Sequence, residues 1–173
     1  MSFKIRPMIA SDLNAIEVIQ AEAYADYFLE SADIIAQRFN LSPTTSWVAE
    51  HKGDVCAYLV GYWSNVGKIN PLNAPFTVVD NANCLYLHDL ALLKAMQGYG
   101  LGRKLIQTAI DYALQNAAIA IALLSVQNSK TFWQEFGFNE FLDLDINQRQ
   151  NLETYLDKSP DGSDAAFYMV RLV

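Results

Sequence analysis

The sequence has no apolar run of bilayer length, no secretory leader pattern, no paired-cysteine motif and no basic stripe. Each absence removes a class of function. The longest uninterrupted apolar stretch, Ala117 to Leu124, is eight residues, less than half of the roughly 20 needed to cross a hydrocarbon core. The first residues, Met-Ser-Phe-Lys-Ile-Arg-Pro, interleave charges with apolar side chains, which argues against a signal peptide and leads to the expectation of a cytoplasmic protein with no membrane partner. Cys56 and Cys84 lie in separate apolar, strand-like stretches, and only His51 and His88 are available as soft co-ligands. Buried free thiols are therefore expected, with neither a metal site nor a disulfide framework. Twelve Lys and Arg stand against 19 Asp and Glu, for a formal charge of −7. That balance opposes binding of a phosphate backbone, so no nucleic-acid partner is expected, whereas a cationic small molecule is readily accommodated.

What is present is core-forming material. The 173 residues are 52% hydrophobic and 18% charged, enough for one well-buried core without staples, and a single domain over residues 1–173 is expected. Phe3 to Arg6 alternates like a short strand halted by Pro7. Ser11 offers an N-cap for a first helix through Leu13, Ile16 and Ile19, and Ser31 one for a second through Ile34, Ile35 and Arg38. Trp47 to Glu50 and Val55 to Trp63 read as a hairpin across Lys52-Gly53-Asp54, and residues 67–82 as a surface loop rich in asparagine and proline. A strand from Cys84 to Leu93 leads to the cluster Gly98-Tyr99-Gly100-Leu101-Gly102. Leu105, Ile106, Ala109, Ile110 and Ala113 then share one helical face. Ile119 to Val126 reads as a strand covered on both faces, Ser129 to Phe136 as a short helix stopped by Gly137, and Phe138 to Leu142 as extended. Ala166 to Val173 reads as a last strand after an acidic loop around Ser159-Pro160-Asp161-Gly162. This order argues for an α/β fold with a mixed sheet carrying helices on its faces.

The glycine cluster opens a helix, where free N–H groups and the positive end of the dipole make an anion site. Its spacing fits neither the dinucleotide fingerprint, whose third glycine falls one residue later, nor the P-loop, since Arg103-Lys104 follows Gly102. Three glycines serving only a tight strand-to-helix connection is the alternative. The segment Gln97-x-x-Gly100-x-Gly102 does resemble motif A of the GNAT (GCN5-related) N-acetyltransferases, and Ser129-x-x-Phe132-Trp133 followed by Gly137-Phe138 resembles their motif B. The order of elements is similar over nearly the whole chain.

That resemblance implies the acyl-CoA N-acyltransferase fold, a mostly antiparallel central sheet flanked by helices, and acetyl-CoA as co-substrate. Leu90 and Leu92 would pair their main chain with its pantetheine arm. Gln97, Gly98, Tyr99, Gly100, Leu101, Gly102 and Arg103 would cradle the pyrophosphate, with Lys94 and Lys104 adding positive charge. Asn128 and Trp133 would contribute from motif B. His88 matches a histidine that serves as base in some aralkylamine acetyltransferases of the family; the alternative is a hydrogen-bonded core histidine. Alternation puts Tyr86 and His88 on one face and Asp89 on the other. The family's general-acid tyrosine corresponds to Trp133, which cannot serve, leaving Tyr168 and Tyr99 as substitutes. The family asparagine that opens motif B corresponds to Val126. An oxyanion would be met by the N–H of Leu92, where the resemblance implies a bulge. Glu22, Tyr24, Asp26, Tyr27, Phe28 and Glu30 would wall the acceptor site, or form a solvated face with aromatics turned inward. The expected activity is direct transfer of acetyl to a primary amine, a small cationic one with an apolar body. A non-catalytic acyl-CoA sensor and a peptide or protein N-acetyltransferase are the alternatives, and a homodimer is allowed.

Overall fold

The computed structural model describes residues 2–75, 77–156 and 165–173, so the acidic loop read around Ser159 to Gly162 lies outside the described residues. Along the chain run β1 (Lys4–Pro7), α1 (Leu13–Ala23), α2 (Ala32–Leu41), β2 (Ser46–His51), β3 (Asp54–Ser64), β4 (Cys84–Leu92), α3 (Leu101–Gln115), β5 (Ala120–Ser125), α4 (Lys130–Gln134), β6 (Asn139–Glu140), α5 (Ile146–Glu153) and β7 (Phe167–Leu172). Among the described residues the strands form one seven-stranded sheet in the order β1-β2-β3-β4-β5-β7-β6. Its pairings are antiparallel except for β4 with β5.

Side-chain alternation on the central strands feeds two cores. Trp47, Leu59, Leu85 and Ile121 face α3, which buries Leu105, Ile106, Ala109, Ile110 and Ala113 against them. Val48, Tyr58, Val60 and Ala91 face the other way and are covered by Ile16 and Ile19 of α1 and Ile35 and Phe39 of α2. Beside them Tyr62, Tyr86 and Tyr168 pack under the 65–83 segment and α5. Both cysteines are buried and free. Among the described residues no helix is long and apolar enough to cross a membrane.

One local expectation is corrected and one element is added. Ser11 does not cap α1: it sits inside a 3-10 turn, Ala10–Asp12. The turn is held by Asp12, which accepts from the Ile9 N–H and is paired with Arg6 at 2.7 Å. Helix α5 has no apolar period for the sequence to reveal. It is capped by Asp145, whose carboxylate accepts from the Gln148 N–H at 2.9 Å, and it is tied to the 69–72 loop. There Gln148 accepts from the Ile69 N–H, Asn151 donates to the Ile69 carbonyl and Thr154 accepts from the Leu72 N–H.

The sheet is irregular where β3 meets β4. Val60 pairs with Asp89 but Gly61 pairs with Leu87, so His88 is an extra residue, a β-bulge. Gly61 is required opposite it, because a Cβ there would lie 2.8 Å from the Tyr86 carbonyl oxygen and 3.1 Å from that of Thr45. Gly61→Ala is expected to lower stability by about 1–3 kcal/mol through overpacking. A drop of several degrees in Tm by circular dichroism would register it, and an unchanged Tm would show that the bulge has slack.

Candidate active site

The parallel ladder between β4 and β5 ends at Leu87–Leu123. Beyond that point β4 pairs only with β3 and β5 only with β7, so the two strands present facing edges with no partner between them. The Leu93 N–H donates to the Cys56 carbonyl at 3.0 Å. Since hydrogen bonding alternates along an antiparallel ladder, Ala91 and Asp89 also point their main chain at β3, and Leu90 and Leu92 point theirs into the gap. The gap is part of a cavity of about 560 Å³ whose wall runs from Leu87 to Leu92, includes Leu124, Val126, Phe132 and Trp133, and is completed by the α1–α2 segment, Leu72 and Tyr155.

One end of the cavity is the glycine turn. Gly98 and Gly100 have φ of +82° and +74°, the left-handed region that a β-carbon disfavours. Gly100 is the N-cap of α3, and the first bond of the helix runs from the Lys104 N–H to its carbonyl. The N–H groups of Leu101, Gly102 and Arg103 are therefore free of intrahelical acceptors. Gln97, Gly98, Gly100, Leu101, Gly102 and Arg103 all line the cavity. Arg103 is ion-paired with Glu135 and lies over the Phe136 ring at 5.1 Å.

The other end is built on the bulge. Because His88 is the extra residue, Asp89 does not face away from it: both side chains point to the α1–α2 side, which corrects the alternation expected from sequence. The His88 Nε2–H donates to Glu30 Oε2 at 2.7 Å. Glu30 also accepts a bidentate pair from Arg38 at 2.6 and 2.9 Å and a bond from the Asn73 N–H at 3.1 Å. The His88, Glu30 and Arg38 side chains are 5%, 4% and 3% exposed. Burial alone would raise the Glu30 carboxyl, but the contacts with His88 and Arg38 prevail and hold it well below the usual carboxylate range. His88 Nδ1 is buried without a hydrogen-bond partner, and His88 lines the cavity. Asp89 accepts from the hydroxyls of Tyr24, at 2.6 Å, and Tyr58. Burial dominates there and raises the Asp89 carboxyl above its ordinary value, with the two hydroxyls and His88 offsetting only part of the shift.

Several expected site residues lie elsewhere. Tyr168 is not on the cavity wall: it is buried against Phe141 and Tyr86, and its hydroxyl accepts from the Gly67 N–H at 2.9 Å. Tyr99 is turned outward between its two left-handed glycines and meets the Phe3 ring at 5.8 Å. Asn128 is skipped too, its neighbours Gln127 and Ser129 lining the cavity instead; the chain turns there, with φ of +50° at Gln127 and +57° at Asn128. Leu92 stays in register with Ala57, so the bulge is at His88 and not at Leu92. Trp133 borders the cavity and packs on Phe132 and Phe138 at once. Of the proposed acceptor wall, Tyr24, Phe28 and Glu30 line the cavity, while the Glu22 carboxylate is occupied by the Lys94 N–H at 2.5 Å. Sequence reasoning missed Arg38, Tyr58 and Tyr155. Arg38 did carry a signal, a cation three residues after Ile35 and one before Phe39 on the buried face of α2. Among the described residues no group of three or more His, Cys, Asp or Glu is placed to hold a metal ion.

Comparison with known proteins places this geometry. The family model described as the acetyltransferase (GNAT) family matches residues 13–138. An uncharacterized N-acetyltransferase of Methanocaldococcus jannaschii, MJ1530, is 26% identical over 163 residues, covering 93% of this chain and 86% of the relative. Ard1 of Thermoplasma volcanium superposes with a TM-score of 0.72 at 15% identity, over 100% of this chain and 99% of that one. A GNAT family acetyltransferase of Brucella melitensis, solved in complex with acetyl-CoA, gives 0.60 at 24% identity, over 80% and 83%.

The Asp89 cluster has a pH signature. A carboxyl whose folded-state pKa is raised contributes stability that is complete below its unfolded value and is lost as pH rises through the folded value. Tyr58→Phe removes one of the two hydroxyls that stabilise the anion, raises the folded value further and enlarges the penalty at neutral pH. The variant should lose about 1.5–3 kcal/mol at pH 7.5 and clearly less at pH 4.5 in denaturant unfolding. Equal losses would mean that Asp89 does not change its protonation between the two pH values.

Proposed function

The chain belongs to the acetyltransferase (GNAT) family, and from that premise we propose that its 173 residues act as one domain transferring the acetyl group of acetyl-CoA directly to a primary amine. The reading is carried by one juxtaposition: an unpaired strand edge and a bare helix start share a cavity with His88, whose buried Nδ1 has no partner. Acetyl-CoA supplies the electrophilic thioester. The Leu90 N–H and the main chain of Leu92 suit its amide-bearing arm, the Leu90 carbonyl being met by the Tyr24 hydroxyl at 3.0 Å, and the free N–H groups following Gly100 suit its diphosphate. A side chain at Gly98 or Gly100 would meet nothing of the protein within 4 Å, so the space beside the turn is open to a ligand.

An aliphatic ammonium must lose a proton before it attacks, at a cost of about 4–5 kcal/mol at pH 7. His88 is the proposed base, taking that proton on Nδ1 as the N–C bond forms and the C–S bond breaks. The sulfur departs as a thiolate, tolerable at a thiol pKa of about 8.5, so Trp133 in the tyrosine position does not forbid turnover. The acceptor half favours a monoamine with an apolar body. The carboxylate of Glu30 is already compensated, that of Asp89 is turned to the hydroxyls of Tyr24 and Tyr58, and beside them the wall includes Phe28, Leu72 and Tyr155. A second reading, transfer to a peptide amino terminus, draws on one observation. Phe28 and Leu72 also line a neighbouring depression with Tyr27, Leu29 and Leu156, which gives a longer acceptor somewhere to lie.

A thiol-release assay over arylalkylamines, polyamines and short peptides separates these readings. The first reading expects arylalkylamines to lead; leadership by peptides would favour the second; acetyl-CoA binding with no turnover would leave a sensor. His88→Ala should lower kcat about 100-fold or more, with partial recovery in alkali and unchanged CoA affinity. Gly100→Ala should weaken CoA at least tenfold by calorimetry, because leaving the left-handed region reorients the N–H groups that follow. Gly102→Ala, whose Cβ would make only ordinary contacts of 3.8–4.0 Å, should not. Equal affinity in all three proteins would remove the turn from the binding site.

A further inference from the structure

His88 is held at one edge and left bare at the other. Its Nε2 is engaged by Glu30, the Tyr62 and Tyr86 rings lie 5.9 and 6.3 Å from its own, and Nδ1 has no partner although it is buried. Glu30 is fixed in turn. Its backbone is clamped by Gln20, which donates to its carbonyl at 3.1 Å and accepts from its N–H at 3.0 Å, and its carboxylate is clamped by Arg38 and the Asn73 N–H. We infer that Glu30 and Arg38 are positioning residues for His88: Glu30 fixes the neutral imidazole as its Nε2–H tautomer and steadies the imidazolium that follows, and Arg38 keeps Glu30 a carboxylate. This rests on the reading of His88 as base.

The physical case is one of accounting for every polar atom. A carboxylate accepts and cannot donate, so the shared hydrogen must sit on Nε2, and the lone pair is left on Nδ1, which is buried and has no partner. Without Arg38 the buried carboxylate would itself compete for the proton, because an isolated buried anion neutralises. With a bidentate guanidinium it does not, and the low proton affinity of Glu30 agrees. Among the described residues the rings of Tyr62 of β3 and Tyr86 of β4 face the imidazole and Asp89 is its neighbour on β4, while Tyr24 at the end of α1 and Tyr155 after α5 line the same cavity. None of these supplies a carboxylate to Nε2; that contact is made by Glu30.

The test reads the ring nitrogens directly. The chain has two histidines, so a long-range 1H–15N spectrum of the full-length protein shows two ring systems, and His88→Gln assigns them. The wild type should give the neutral His88 as the Nε2–H tautomer. Glu30→Gln with Arg38→Met removes the charges together and avoids a lone buried ion, a replacement that buried pairs often tolerate. It should keep the tautomer and lower kcat about tenfold without changing KM for acetyl-CoA. Glu30→Met with Arg38→Met should lose the tautomer preference as well. An Nδ1–H tautomer in the wild type, or an undiminished tautomer preference in the double methionine variant, overturns the inference. The spectra need no turnover: a relay intact by NMR in a protein that acetylates no amine would overturn the proposed function and leave this inference standing.

Discussion

Two neighbouring strands that begin as partners and then separate set the terms for everything else in this molecule. β4 and β5 pair over Cys84–Leu87 and Ala120–Leu123 and no further, although both strands continue. Unpaired main-chain groups inside a protein are costly unless water or a ligand meets them. The fold tolerates the split because each strand keeps an antiparallel partner on its outer side, β3 for β4 and β7 for β5. What remains between them is a slot of peptide polarity walled by leucine and aromatic side chains, suited to an extended, amide-bearing chain. The glycine turn lies beyond the end of β4, so the slot leads to the bare helix start.

The bulge is the second consequence of irregular pairing. One extra residue in β4 puts His88 and Asp89 on the same side, among polar groups brought by α1 and α2, whereas strict alternation would bury one of them against α3. Both are then treated in opposite ways. Glu30 beside His88 is held anionic by a guanidinium, while Asp89 has only the hydroxyls of Tyr24 and Tyr58, and burial raises its carboxyl. The bulge thus brings together a compensated carboxylate, Glu30, and a poorly compensated one, Asp89, a separation of proton affinities typical of sites that move protons.

Periodicity made the scaffold legible. The face of α3 and the mixed sheet were written in apolar spacing, and the glycine turn in its own residues. The family resemblance drew on motif spacing and pointed to the same turn and to His88. What escaped had no periodic signal. A bulge is one residue in the wrong count, and neither side of it looks unusual until the register with Gly61 is known. Helix α5 is polar throughout and exists through its cap and its bonds to the 69–72 loop. Tyr168 and Tyr99 were chosen because tyrosine is a plausible acid, yet sequence does not say where a hydroxyl points, and one faces Gly67 while the other faces Phe3. Glu30 was visible as an acidic residue among aromatics, but its meaning depends on Arg38, one residue further than two helical turns away, and on His88, 58 residues away.

Compensation of Glu30 also bears on how an amine would be handled. A free carboxylate beside the reacting nitrogen would attract the ammonium form, and at about 4 Å with an effective dielectric near 20 the attraction is about 4 kcal/mol. That energy would stabilise the unreactive protonated amine and add to the cost of deprotonating it. Engaging the Glu30 charge with Arg38 and His88 removes the trap while keeping the negative potential behind the imidazole, which the proposed mechanism makes cationic. Asp89 avoids the same fault by a different route, since its oxygens are turned to Tyr24 and Tyr58. An acidic protein can therefore draw a cationic amine towards it at long range and still present that amine with a cavity whose nearest carboxylates are already occupied.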